Sequence, residues 1–132
     1  MAKYDTDLRN TRQQALLDRI QGGTVYLCSG SPPSALAVPS AGSILSQHAV
    51  AADGGTVASG QMVLADGDVD PDTEANNGGT IAYVVAVKDS IPVGRWLVPS
   101  QMSVSINQGS SLTIVAGLPV DVDSMTVNEG NA

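Results

Sequence analysis

From Thr24 onward the chain is cut by Gly, Pro, Ser and Asn into short runs, and within most of them apolar residues alternate with polar ones. Alternation with a period of two marks a strand with one buried face, and runs this short are strand-sized rather than helix-sized. The segments 24–28, 44–50, 62–65, 80–88, 95–98, 102–106 and 112–116 read as strands, with Val120, Val122, Met125 and Val127 completing the pattern. The run 80–88 is distinctive. Ile81, Tyr83, Val85 and Val87 occupy one side and Ala82, Val84 and Ala86 the other, so both faces are expected to be covered. Turn chemistry separates the runs, as in Ser29-Gly30-Ser31-Pro32-Pro33-Ser34 and at Asn107-Gln108-Gly109. No helical pattern lies between any two of these strands, which excludes a parallel sheet. The expected architecture is all-β: an antiparallel β-sandwich or jelly-roll-like barrel of seven or eight strands.

Ahead of Gly22-Gly23 the pattern differs. Residues 5–21 contain no Gly or Pro and are rich in Arg, Gln, Leu and Ala, which favour helix. Asp5, Thr6 and Asp7 supply capping oxygens and negative charge at its start, and Gly22 suits the left-handed conformation that ends a helix. Leu16, Leu17 and Ile20 share roughly a third of the wheel, with Leu8 and Ala15 to one side. The sequence therefore divides into an N-terminal helical arm over residues 1–23 and a β-sandwich domain over residues 24–132. The short stripe fits a helix packing its last two turns on its own domain, or an arm hinged at Gly22-Gly23 and docking on another subunit.

At 132 residues there is room for one core, and that core lacks phenylalanine and has one tryptophan. Small aliphatic side chains bury less area each than aromatics, so self-association, as a homotrimer or another small oligomer, is expected to add stability. The charge is uneven. Residues 1–23 carry Lys3, Arg9, Arg12 and Arg19 against three acids, a net of +1, whereas residues 24–132 carry Lys88 and Arg95 against ten acids, a net of -8. An acidic body repels a phosphate backbone and an anionic bilayer alike, so neither nucleic acid nor membrane is an expected partner. No run approaches the ~18 apolar residues of a membrane span, and the first residues lack the apolar stretch of a secretory signal. Assembly in the cytoplasm of the producing cell is expected. Cys28 is the only cysteine, which rules out a disulfide within the chain.

Residues able to carry chemistry are few. Asp66, Asp68, Asp70, Asp72 and Glu74 alternate without an intervening base and begin like a calcium loop. Pro71 then stands where such a loop needs glycine, and Asn77 where it needs a bidentate glutamate, so a solvated hairpin loop with no calcium requirement is expected. His48 is the only histidine. With a serine and Asp53 it completes a catalytic set on paper, but no nucleophile elbow accompanies it, and a strand histidine on the surface or hydrogen-bonded inside is expected. Cys28 alternates with Tyr26 and Thr24 and reads as a buried inert thiol, and Trp96 as a core or interface anchor. The glycine pairs beginning at 22, 54 and 78 are turns rather than phosphate loops. No enzyme, cofactor or metal is expected.

Several segments, taken in order, carry a resemblance. The helix Leu8-Arg9-Asn10-Thr11-Arg12 with Leu16-Leu17 and Ile20 ends in Gly22-Gly23 and leads to Thr24-Val25-Tyr26-Leu27-Cys28-Ser29-Gly30-Ser31-Pro32-Pro33. Then come Ala41-Gly42-Ser43-Ile44-Leu45, Gly79-Thr80-Ile81-Ala82-Tyr83 and a tail from Ser111-Leu112-Thr113-Ile114 to Glu129-Gly130-Asn131. This order resembles a family of small proteins from the structural gene blocks of tailed bacteriophages and prophages. The resemblance implies a virion component, foremost a capsid decoration (cement) protein, trimeric on the outer surface of the head with the major capsid protein as partner. A head–tail connector, a tail-associated protein and a host-binding adhesin-like module are the alternatives. Cys28 and the acidic stretch 66–74 depart from the family pattern. Within this reading the positive arm makes the attachment, with Lys3, Arg9 and Arg12 facing the shell and Leu16 and Ile20 packing at the arm's base.

Overall fold

The computed structural model describes residues 4–107 and 112–127. One helix, α1 (Thr6–Ile20), precedes the strands β1 (Thr24–Cys28), β2 (Ile44–Ala49), β3 (Thr56–Ala58), β4 (Gln61–Ala65), β5 (Gly79–Thr80), β6 (Tyr83–Lys88), β7 (Ile91–Leu97), β8 (Met102–Ile106), β9 (Thr113–Ile114) and β10 (Val122–Val127). They form two four-stranded sheets, ordered β2-β1-β6-β7 and β3-β4-β10-β8, and a two-stranded β5-β9 ribbon. Every paired strand runs antiparallel. The result is an all-β, sandwich-like fold with a short N-terminal helix. No helix among the described residues is long and apolar enough to cross a membrane.

The two large sheets share one core. Val25, Leu27, Leu45, Val84 and Ala86 from the first meet Met62, Leu64, Met102, Ile106, Val122, Met125 and Val127 from the second. Strand β8 alternates as its serines require, with Met102 and Ile106 buried and Ser103 and Ser105 exposed. Strand β6 is covered on both sides, every residue from Tyr83 to Val87 being buried. Val84 and Ala86 enter the common core, whereas Tyr83, Val85 and Val87 join Cys28 in a second cluster on the outer face.

The single run expected over 80–88 is split. Gly79 and Thr80 pair with β9, and the chain then crosses at Ile81-Ala82 into the first sheet, where Ala82 N–H donates to the Cys28 carbonyl. Strand β7 starts earlier than its apolar content suggests and accommodates Pro92. It lies at a sheet edge, where a missing N–H leaves no inner neighbour unpaired, and the ladder is irregular there. Asp89 and Ser90 both take positive φ (53° and 65°) to close the two-residue β6–β7 hairpin, the sense that matches strand twist. The turn expected at 107–109 lies, beyond Asn107, outside the described residues.

The arm is not a separate unit. Helix α1 lies on β3, β4 and β6, and Gln13, Leu17 and Ile20, spaced for one helical face, are buried. Its seat has a glycine floor. A side chain on Gly55 (φ +88°) would meet the Leu17 methyl at 2.6 Å, and one on Gly60 (φ +76°) would meet the Arg9 guanidinium at 2.6 Å. Amide side chains hold the ends. Asn10 accepts from Gly60 N–H at 2.7 Å, and Gln21 donates to the Gly54 carbonyl at 2.7 Å. The Gly22-Gly23 junction, expected as a flexible hinge, is instead stitched into the sandwich. Gly22 N–H donates to Val50 O, Val50 N–H donates to Gly23 O, and a Cβ on Gly23 would stand 2.5 Å from Val87 O. The helix therefore takes the first of the two expected courses, packing its last turns on its own domain.

Burial of Leu17 and Ile20 stabilises the fold by about 1.5–3 kcal/mol each. Removing residues 1–21 should consequently strip a wall from the core, with loss of cooperative thermal unfolding and of near-ultraviolet circular dichroism. Leu17→Ala should destabilise by about 2–5 kcal/mol in urea unfolding. A truncated chain that melts like the full one would show the helix to be dispensable.

Candidate functional site

Strand β2 turns Ser46 and His48 to the same inner side, opposite Leu27 and Val25 of β1. The His48 ring is held at both nitrogens. Nδ1 lies 2.8 Å from the Asp70 carbonyl, and Nε2 lies 2.9 Å from Ser46 Oγ. A carbonyl only accepts, so Nδ1 carries the proton and Nε2 accepts from the Ser46 hydroxyl. Burial pushes the imidazole pKa below its ordinary value, opposed by the Asp70 carbonyl and by the charges of Asp72 and Asp121. The ring is therefore neutral.

A serine hydroxyl against an imidazole is the spacing of a nucleophile and its base. Here the pair is sealed, with Ser46 0% and His48 1% exposed, so no substrate reaches it. Asp53, the carboxylate nearest in sequence, lies on the exposed turn after β2 and does not meet the ring. The pair instead fastens the 66–74 segment to β2. Sequence reasoning found His48 but not its partner, although Ser46 stands two residues away, where a strand brings side chains to one face.

The acidic stretch is more ordered than the expected solvated hairpin loop. Val69 and Ala75 are buried, Asp70 N–H donates to Ala49 O, and Asp72 exchanges both main-chain hydrogen bonds with Val120. The carboxylates of Asp68 and Asp72 are used locally. Asp68 accepts from Ala65 N–H at 2.8 Å, and Asp72 accepts from Gln47 N–H at 3.0 Å and Glu74 N–H at 3.1 Å. Among the described residues no group of three or more His, Cys, Asp or Glu is placed to hold a metal.

Cys28 is fully buried, and burial raises its thiol pKa to about 12, partly offset by a hydrogen bond from Tyr83. Trp96 is half-buried on the inner side of β7 opposite Val84 and packs against the common core. Its ring passes so close to Gly94 that a Cβ there would lie 2.8 Å from Cη2.

Of the five side chains expected at an attachment face, the four that are described do not come together. Ile20 is in the core, Leu16 is half-buried against it, and Arg9 lies over Gly60 with Nη2 3.4 Å from Thr6 Oγ1. Arg12 is exposed and stacks over the Tyr4 ring at 4.9 Å, whereas Lys3 lies outside the described residues. The outward surface of the helix includes Leu8, Arg12, Ala15 and Arg19, all exposed and spaced by three or four residues, beside the exposed Asp7, Thr11, Gln14 and Asp18.

The outer face of the first sheet carries an open cleft. Residues 29–40 form a strap across the outer face of the first sheet, and a cleft of about 380 Å³ remains between Pro33, Ala37, Val38 and Pro39 of the strap and Tyr83, Val85 and Arg95 of the sheet. Arg95 Nη1 donates to the Pro33 carbonyl and so tethers the strap. No protein-family model, no curated protein and no solved structure matches this chain.

The buried groups set two measurable behaviours. A neutral His48 takes up a proton in the folded state only at a pH below 6.5, its ordinary value, whereas the unfolded chain takes one up near it. Stability should therefore fall as pH drops from 7.5 through 6.5 toward 5.5, with a slope of up to about 1.4 kcal/mol per pH unit from this residue. Urea midpoints for His48→Gln should be lower at pH 7.5 and nearly flat across that range; an unchanged slope would remove His48 as its source. The Cys28 thiol should be silent to a thiol reagent in the native protein and react fully in denaturant.

Proposed function

We propose that this chain is a non-enzymatic structural protein of a tailed-phage particle, a decoration (cement) protein that binds the outer surface of the assembled head through the major capsid protein and associates with further copies of itself as a homotrimer. One observation carries the reading: the chain invests its reactive side chains in its interior and its adhesive ones in its surface. Ser46, His48 and Cys28 are sealed in the fold, whereas Leu8, Leu36, Val38, Ile91, Val115 and Leu118 are all more than two-fifths exposed. Among the described residues the outer strands β7, β3 and β8 also end their sheets without a further strand, whereas the outer edge of β2 is taken up by the 70–77 segment. Open edges and scattered apolar side chains suit a protein completed by assembly.

The order of segments along the sequence, which resembles that of phage structural proteins, points the same way. A subunit that binds the finished shell and not its precursors stabilises that shell by mass action. The attachment face in this proposal is the outward stripe of α1. Of the five contacts expected from sequence, Arg12 keeps its role, Arg9, Leu16 and Ile20 give way to Leu8, Ala15 and Arg19, and Lys3 remains a candidate. The stripe belongs to residues 1–23, whose net charge is +1 against -8 for the rest of the chain, so it can approach acidic groups that the body would repel.

Purified protein mixed with heads that lack it should bind at hundreds of copies per particle, and sedimentation at tens of micromolar should show a small oligomer. Reversing the charge of both arginines, Arg12→Glu with Arg19→Glu, should weaken head binding by about tenfold or more while leaving the melting temperature nearly unchanged, since exposed pairs contribute below ~1 kcal/mol each and act together. A few copies confined to one vertex would favour a connector or tail protein, and cell binding by the purified chain an adhesin. Unaltered binding by the doubly reversed variant would move the contact off the helix.

A further inference from the structure

We propose that the cleft beneath the strap is a binding site for a small amphipathic carboxylate, a molecule with a short aliphatic or single-ring body and one acid group. The site is independent of any role in a virion. Its first support is room: although Tyr83 and Val85 at its floor are each only 2% exposed, a cleft of about 380 Å³ stays open between the strap and the sheet. Its size lies at the lower end of the roughly 300–1,000 Å³ of small-molecule pockets.

The strap is stiff. Pro32, Pro33 and Pro39 each fix φ, which limits how far it can collapse into the cleft. The strap's far end is anchored independently, because Ser29 N–H donates to Ser43 O at 3.0 Å and Asn77 Nδ2 donates to Ala41 O at 3.1 Å and Ile44 O at 2.7 Å. A pocket held open in this way loses little freedom when it is filled.

The lining suggests the ligand's chemistry. Pro33, Ala37, Val38, Pro39 and Val85 give it an apolar wall, Ser31, Ser40, Ser43 and Tyr83 add hydroxyl-bearing residues, and its only charge is Arg95. That residue is one of two bases after Gly23, set opposite Val85 in the middle of an apolar face. Among the described residues its single hydrogen bond is to Pro33 O, which leaves most donors of the guanidinium fork unused. A planar fork beside an apolar wall matches a carboxylate with an apolar body. The acidic remainder of the chain, screened over about 8 Å, still disfavours multiply charged anions.

Titrating the full chain with octanoate, 1-octanol and inorganic phosphate, followed by amide nitrogen–proton spectra, tests this. Octanoate should give saturable shifts centred on Ala37, Val38, Val85 and Arg95, 1-octanol should bind about tenfold more weakly, and phosphate should leave the cleft unshifted. Arg95→Gln should bring octanoate down to the level of 1-octanol, and Ala37→Trp, which fills the cleft from the strap side, should remove both. Should Arg95→Gln also loosen the strap, Arg95→Lys keeps the charge and must still prefer octanoate to 1-octanol. No saturable octanoate shift, equal binding of the acid and the alcohol by the unaltered chain, or loss of the preference in Arg95→Lys would overturn the proposal and leave Arg95 as a tether for the strap alone.

Discussion

The seating of α1 on the β3–β4 hairpin is the contact on which the rest of the molecule depends. Two short sheets with no phenylalanine between them enclose little apolar area, and the sandwich would stand open along β4 without a third element. Leu17 and Ile20 close it. They can do so only because residues 55 and 60 lack side chains and take positive φ, which lets the helix approach the hairpin. The same approach orients Asn10 and Gln21 onto the hairpin's main chain and draws Gly22-Gly23 into register with Val50. Helix and sandwich thus form one packing unit, and the outward side of the helix is a fixed surface instead of a swinging arm.

Much of this was legible in the sequence because period and punctuation speak directly about local structure. The helix, its cap at Asp5, and the strands around Thr24, Ile44, Met62, Tyr83 and Met102 were all signalled by alternation or by turn residues. Strand β3 was not: with three residues between Gly55 and Gly60, it has too few positions to show a period. The split at Ile81-Ala82 was also hidden, since a strand that changes sheets keeps an unbroken apolar run. The expectation of a flexible hinge at Gly22-Gly23 missed for a different reason. A glycine pair reads as a hinge in isolation, but whether it bends or locks is decided by what packs on it, here the Val87 carbonyl and the Ile20 turn.

The polar interior follows the same logic. His48 could be picked out by its rarity, yet its role rests on Asp70, a residue that sequence reading had assigned to a metal-like acidic stretch for its side chain. The contact that matters is the Asp70 carbonyl. Composition could not reveal this, because every residue has a carbonyl and only the fold decides which one meets the imidazole. The cleft under the strap was likewise invisible beforehand. The prolines signalled a loop, but that the loop recrosses its own sheet and leaves a cleft beside Arg95 is a tertiary fact.

Burial on both faces of β6 has an evolutionary consequence. A strand with one wet face lets alternate positions drift among polar residues while the others hold the core. Between Tyr83 and Val87 there is no such free parity: odd positions answer to the strap and even positions to the opposite sheet. The two constraints come from different neighbours, so a change tolerated by one is screened again by the other only through the shared backbone. Lineages of this protein can vary the strap by adjusting residues 83, 85 and 87 together with it, without disturbing 84 and 86. The outer face can thereby diversify on an inner face that stands still.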